Sequence, residues 1–95
     1  MHVIAKKTLV EFWHKHKDAE EALRAWYQET EDADWNDPND IRLRYRNAEF
    51  LPGNLVVFNI KGNNYRLIAR LNYQSRKVYI RFIGTHAEYD RARVE

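Results

Sequence analysis

Residues 56–90, VVFNIKGNNYRLIARLNYQSRKVYIRFIGTHAEYD, decide the fold of this 95-residue chain. β-Branched and aromatic residues fill three runs, separated by short segments that contain Gly, Asn or Ser, a pattern typical of strands joined by tight turns. The pattern predicts strands over residues 55–60, 65–73 and 77–83, with turns at 61–64 and 74–76. Residues 84–90 follow the third strand and predict a closing helical turn.

The second and third strands alternate between apolar and polar residues, which places the two kinds of side chain on opposite faces of an antiparallel sheet. The predicted apolar face carries Val56, Phe58, Leu67, Leu71, Ile80 and Phe82. The predicted polar face carries Arg66, Arg70, Lys77, Tyr79 and Arg81. We expect the function on the polar face, at the end where the third strand delivers His86, Glu88 and Tyr89.

Two amphipathic segments precede the sheet and predict a helical hairpin over residues 8–33. Thr8 before Glu11, and Asp18 before Glu21, have the spacing of helix-capping pairs. Apolar side chains then recur at helical spacing, and they include Phe12, Trp13, Trp26 and Tyr27. Because these aromatic side chains must be buried, we expect the hairpin to cover the apolar face of the sheet.

The remaining segments complete one domain. Asp37 before Pro38 predicts an N-cap followed by the proline that helices accept in their first turn, so a short helix is expected to about Arg44. Residues 2–5 and 47–51 predict short strands. No repeat or linker divides the chain, and we predict a single two-layer α+β domain over residues 1–95.

The composition limits the class of protein. There is no cysteine, which excludes a disulfide framework and a thiolate zinc site and suits a reducing compartment. No apolar run approaches the roughly 18 residues of a membrane span, and no signal-peptide pattern is visible. We therefore expect a cytoplasmic protein without a membrane segment.

Charge divides the chain into two halves. Residues 1–40 contain 5 Lys/Arg against 10 Asp/Glu, a balance of −5, whereas residues 41–95 contain 11 against 4, a balance of +7. The positive half also holds five of the six tyrosines. Arginines interleaved with aromatic residues suit single-stranded RNA, whose bases stack on aromatic rings. A solvated basic face that binds no ligand is the alternative.

The end of the stretch carries groups for acid–base chemistry. Tyr89 and Asp90 lie three and four residues after His86, so the three side chains share a face if this segment is helical. Histidine exchanges protons near neutral pH, and tyrosine can deliver a proton to a leaving oxygen. Arginines on the polar face would stabilise a pentavalent phosphorus. These groups suffice for RNA cleavage by the substrate's own 2′-hydroxyl, without a metal ion, a cofactor or a protein nucleophile.

Other chemistries lack their residue patterns. The chain has no Gly-rich phosphate loop, no GxSxG and no HExxH. His14 and His16 lie two residues apart, and such side chains diverge on a helix, so we expect no metal site there.

Each candidate residue also has a structural alternative. Thr85 and Glu88 have the spacing of a capping box, so Glu88 can serve as a helix cap. Tyr89 can be a core aromatic that holds the C-terminus, and His86 can be an ordinary hydrogen-bonded surface residue.

Several motifs in this chain resemble those of HigB toxins, one branch of the RelE/ParE superfamily of bacterial toxin–antitoxin systems. The most specific are GN-x-YRL at residues 62–67 and IR-x3-TH-x-EYD at residues 80–90. The resemblance extends to MHVIAKKTLVEFW at the start and to ADWNDPNDIRLRYRNAEFL at residues 33–51. It implies a RelE-like fold, an endonuclease that cuts mRNA on the ribosome, and a HigA-type helix-turn-helix antitoxin as partner.

The resemblance also implies functional positions. The motif residues are Asn63, Arg66, Arg81, His86, Glu88 and Tyr89. We expect His86, Arg66, Arg81, Tyr89 and Glu88 to be catalytic, and Lys61, Asn63, Arg70, Lys77 and Tyr79 to contact RNA. Two other functions stay open at this point: a non-catalytic module that binds RNA or ribosomes, and a protein-directed inhibitor of gyrase, as found elsewhere in the superfamily.

Overall fold

The helical hairpin comes early in the chain and the three long strands come late. The structure is a computed structural model that describes residues 1–94, with side chains through Ala92. Its elements are β1 (His2–Ile4), α1 (Lys6–Lys15), α2 (Glu20–Asp32), α3 (Pro38–Arg44), β2 (Glu49–Leu51), β3 (Leu55–Ile60), β4 (Tyr65–Asn72), β5 (Lys77–Thr85) and α4 (His86–Val94). A 3-10 turn over Lys17–Ala19 joins α1 to α2. No helix of the described range has the length and apolar character that crossing a bilayer requires.

The strands described form one mixed sheet in the order β1-β5-β4-β3-β2. Strands β2 to β5 pair antiparallel with their neighbours in this order, whereas β1 pairs with β5 in parallel. The predicted α+β fold is confirmed, and the parallel edge strand corrects the prediction of a purely antiparallel sheet. A parallel neighbour requires a long crossover, which the chain between β1 and β5 supplies.

A β-bulge at Arg81 changes which side chains of β5 face the hairpin. Ile68 of β4 pairs with Phe82 and the next β4 residue pairs with Ile80, which leaves Arg81 as the extra residue. The prediction that Phe82 faces the core is therefore wrong. The extra residue inverts the alternation, so that Phe82 joins the face of Ile68 while Ile83 packs against the core.

The hairpin of α1 and α2 packs on the apolar face of the sheet, as predicted. Trp26 of α2 meets Phe58 of β3 edge-on, with 5.3 Å between ring centroids. Trp35, which the sequence pattern does not assign to the core, stacks on the same ring at 6.3 Å and is 5% exposed. Burial of each such side chain contributes about 1.5–3 kcal/mol, so this layer is the main source of stability.

Of the predicted caps of the first three helices, two are wrong. Helix α1 begins at Lys6, so Thr8 lies inside its first turn and does not cap it. Asp18 lies in the 3-10 turn before α2, where its carboxylate accepts a hydrogen bond from the Tyr65 hydroxyl at 2.6 Å. The third prediction is confirmed, because the Asp37 side chain accepts from the Asp40 N–H at the start of α3.

Helix α4 is longer than the predicted turn and folds back over the opposite face of the sheet. We call that face, with Arg66 and Arg70 of β4 and Tyr79 and Arg81 of β5, the arginine face. Tyr89 of α4 is 3% exposed, and its hydroxyl donates to the Glu49 carboxylate of β2 at 3.0 Å. The helix therefore covers one end of the arginine face and leaves the remainder open.

Candidate active site

Helix α4 begins with a capping box. The Thr85 N–H donates to the Glu88 carboxylate at 2.8 Å, and the Glu88 N–H donates to the Thr85 hydroxyl at 3.1 Å. The hydrogen bond from the Thr85 N–H lowers the pKa of Glu88 and keeps this carboxyl ionised. The structure thus gives Glu88 a capping role, which fixes where α4 starts and how His86 is presented.

His86 is the first residue of α4 and pairs with an aspartate one turn later. Its Nδ1 lies 3.0 Å from Oδ2 of Asp90, and its backbone N–H donates to the Asn64 carbonyl of the β3–β4 turn at 3.3 Å. Both side chains are exposed. Among the described residues, no hydrogen-bond partner of Nε2 is found, and the side chain is 47% exposed, so this nitrogen is available to exchange a proton with a substrate.

Arg66 lies beside this helix start. Its guanidinium is 5.7 Å from the centre of the Tyr89 ring, a cation–π distance, and its Nη1 donates to the Asn63 carbonyl at 3.4 Å. The strand partner of Arg66 is Gly84. The buried Tyr89 ring supports the Arg66 guanidinium, which agrees with the alternative that this tyrosine is a core aromatic residue.

Gly84 is not among the motif residues, although it lies beside them in the structure. A Cβ at this position would lie 2.6 Å from Cζ of Phe82 and 2.9 Å from Oε1 of Glu88. A side chain at this position would require the Phe82 ring or the capping carboxylate to shift. A glycine inside a strand pattern is itself a sequence signal of such an approach.

The β3–β4 turn places the exposed Lys61 in an ion pair with Asp18. The Lys61 ammonium lies 3.1 Å from the Asp18 carboxylate, which also accepts from Tyr65. The hydrogen bond from Tyr65, and then the one from Lys61, lower the pKa of Asp18. The hydrogen bond to Asp18 in turn raises the pKa of Tyr65. Asn63, two residues beyond Lys61, is exposed at the tip of the turn.

A second group of candidate residues lies further along the arginine face. Arg70 and Arg81 are both exposed and line an open cavity of about 700 Å³ together with Tyr79. The same two arginines line a neighbouring cavity of about 550 Å³ that reaches Ala92 of α4. Lys77 lies at the start of β5, where it is partly buried and pairs with Asn72.

The candidate residues therefore form two groups rather than one. The helix-end group consists of Asn63, Arg66, His86, Tyr89 and Asp90, and the mid-sheet group consists of Arg70, Tyr79 and Arg81. Four residues separate Arg66 from Arg70 along β4, which is roughly 13 Å at a strand rise of about 3.3 Å per residue. The mid-sheet group lies on the open part of the arginine face, and the helix-end group lies at the end of that face where α4 begins.

Comparison with known proteins shows the family of this chain. The model of the HigB toxin family, the RelE-like toxic component of a toxin–antitoxin system, matches residues 19–92. The chain belongs to the HigB toxin family. The match extends from the 3-10 turn before α2 into α4, so it includes both groups of candidate residues.

Relatives of similar length support the assignment. A protein of Escherichia coli named mRNA interferase HigB is 29% identical over 96% of this chain and 90% of its own length. A second Escherichia coli protein, named mRNA interferase toxin HigB, is 31% identical over 95% and 88%. The mRNA interferase HigB of Shigella flexneri has the same identity and coverage. As a member of a toxin–antitoxin family, the HigB-family chain has an antitoxin as its expected partner.

Proposed function

We propose that this chain is a toxin that cleaves mRNA on the ribosome. The observation that carries the proposal is the arginine face: Arg70 and Arg81 line an open cavity on it, and Arg66 and the exposed His86 lie at the end where α4 begins. The similarity to relatives named mRNA interferases, which extends over nearly the whole chain, supports the same activity. Such an activity belongs in the cytoplasm, and a HigA-type helix-turn-helix protein is the antitoxin that we expect to silence it.

The helix-end group can supply the acid–base chemistry. In its neutral form, Nε2 of His86 accepts the proton of a ribose 2′-hydroxyl, and the 2′-oxygen forms a bond to the adjacent phosphorus. The bond from phosphorus to the 5′-oxygen then breaks, the leaving oxygen takes up a proton from water, and the His86 imidazolium releases its proton to solvent. The products carry a 2′,3′-cyclic phosphate and a 5′-hydroxyl.

The positive charges of the arginine face can stabilise this reaction. Arg66 rests on the Tyr89 ring close to His86, so it is the arginine that we assign to the scissile phosphate. Tyr89 orients Arg66, and Glu88 fixes the helix start that carries His86. Electrostatic stabilisation by preorganised donors is commonly the largest single contribution to such catalysis.

The other candidates can hold RNA on either side of the scissile bond. Arg81 and Arg70 would bind a flanking phosphate, and the Tyr79 ring beside them would stack a base. Lys77 and the turn residues Lys61 and Asn63 extend the same surface at its two ends. Lys61 would exchange its Asp18 partner for a phosphate when RNA binds.

Primer extension on a defined message, with and without ribosomes, tests the proposal. We expect the wild-type protein to cut the message on ribosomes, and His86→Ala to bind ribosomes without cutting, because general acid–base groups contribute about 10²–10⁴-fold. His14→Ala, an exposed histidine of α1, is the matched control and should cut normally.

The same assay distinguishes the alternatives. A non-catalytic binding module would leave the message whole while inhibiting translation, and His86→Ala would not change that inhibition. A gyrase inhibitor would block DNA supercoiling and spare mRNA. Either result would overturn the proposed nuclease.

A further inference from the structure

One residue of the helix-end group, Asp90, has no role among the motif-derived residues. Asp90 follows His86 by one helical turn, and its carboxylate lies 3.0 Å from Nδ1 of the imidazole. The geometry points to Asp90 as a positioning residue for proton transfer by His86. This inference rests on the proposed function, since it assigns a role within the same reaction.

The pair determines which ring nitrogen can act as the base. A carboxylate is an acceptor only, so the neutral ring must carry its proton on Nδ1 to hydrogen-bond Asp90. That leaves the lone pair on Nε2, the nitrogen for which no partner is found among the described residues. A histidine whose second nitrogen is held by a carboxylate has a fixed tautomer and a fixed ring orientation.

The location of the pair at the start of a helix gives Asp90 a second role in the proton transfer. His86 is the first residue of α4, where the positive end of the helix dipole disfavours an added positive charge. When the imidazole accepts the 2′-hydroxyl proton it becomes a cation at this unfavourable place. The adjacent Asp90 carboxylate stabilises that cation, as the aspartate does in serine protease triads.

The pair has little value for stability. The side chains of His86 and Asp90 are 47% and 60% exposed, and exposed ion pairs at this helical spacing contribute very little to folding. A purely structural role would therefore leave activity almost unchanged when Asp90 is altered. A positioning role instead predicts a large loss of activity with an unchanged fold.

Asp90→Asn is the most informative variant, because its amide can donate to Nδ1 and so favour the opposite tautomer. We expect its cleavage rate on ribosome-bound message to fall on the order of 10²-fold or more, with an unchanged melting temperature. Asp90→Ala should lose less, since a free imidazole still samples the active tautomer. Asp90→Glu, which keeps a carboxylate, should restore part of the rate.

Nitrogen-15 NMR of the imidazole measures the tautomer directly. The wild-type protein should show the proton of neutral His86 on Nδ1, and Asp90→Asn should move it to Nε2. The matched control is Asp32→Asn, which alters an exposed aspartate of α2 that pairs with Gln28; it should change neither the rate nor the His86 signals.

The outcomes separate this inference from the proposed function. A wild-type protein that leaves the message whole would overturn the nuclease itself. If the wild type cuts and Asp90→Asn cuts at the same rate, or loses its rate while the tautomer stays the same, only the role of Asp90 is wrong.

Discussion

The two faces of the sheet differ in how they are covered. On one face, the α1–α2 hairpin buries Trp13, Leu23 and Trp26 almost completely against the strands. On the arginine face, α4 buries Tyr89 at one end, while Arg70 and Arg81 line open cavities. The first face holds the chain together, and the second is free to bind a polyanion. Substitutions on the two faces should therefore separate stability from activity.

The largest effect on stability is expected on the hairpin face. Trp26→Ala removes a side chain that is 2% exposed and packs on Phe58. Truncation of a buried aromatic costs about 3–5 kcal/mol, so the melting temperature should fall sharply. A melting temperature equal to that of the wild type would contradict the packing of the hairpin on the sheet.

A smaller loss is expected where the arginine face is tightly packed. In Gly84→Ala the new methyl group would collide with the Phe82 ring and the Glu88 carboxylate, and such overpacking costs about 1–3 kcal/mol. Urea denaturation measures this loss. If Gly84→Ala keeps the wild-type free energy of unfolding, the close approach at Gly84 is not required.

The α4 cap predicts a small dependence of stability on pH. The folded state lowers the pKa of Glu88, so its contribution is present above the ordinary carboxyl value of about 4.3. The contribution is lost as the pH falls through the lowered folded-state pKa. Thermal melts from about pH 7 to about pH 3 should therefore show the gap between wild type and Glu88→Gln closing in acid. If the difference in melting temperature between the two proteins stayed constant down to about pH 3, ionisation of Glu88 would not contribute to stability.

The smallest effect on stability, and a large effect on toxicity, is expected for Arg81→Ala. Arg81 is exposed on the bulge, so its removal should change the free energy of unfolding by less than about 0.5 kcal/mol. Expression without an antitoxin should arrest growth for the wild type and not for this variant. Arg24→Ala, at an exposed arginine of α2 on the opposite side of the sheet, should remain toxic. A folded Arg81→Ala protein with full toxicity would exclude the proposed role of Arg81.

The same contrast explains which features the sequence predicted. Strict alternation in β4 identified both faces, and helical periodicity identified the hairpin, because both patterns come from burial of one side of an element. The bulge carries no glycine or proline signal around Arg81, so the alternation was extended one residue too far and misplaced Phe82. Burial of Tyr89 depends on α4 folding back over the sheet, which is a tertiary contact that local patterns do not contain.

The sequence predicted which residues belong to the candidate site better than it predicted how they are arranged in space. The motif resemblance supplied Arg66, Arg81 and His86, and the structure separates them into two groups along the arginine face. The capping box at Thr85 and Glu88 followed from spacing, because such caps are local. Asp18 satisfies the capping pattern equally well, yet it bonds Tyr65 across the molecule, and no local signal distinguishes these two cases.

The most direct test of the account replaces a single ribose. The cut site of a defined message is first mapped on the ribosome, and the nucleotide there is then made with 2′-deoxyribose. If the arginine face only positions the substrate's own hydroxyl for attack, the wild-type protein should bind this message normally and fail to cut it at that position. Cutting at an unchanged rate would contradict the account and would require an activated water as the nucleophile.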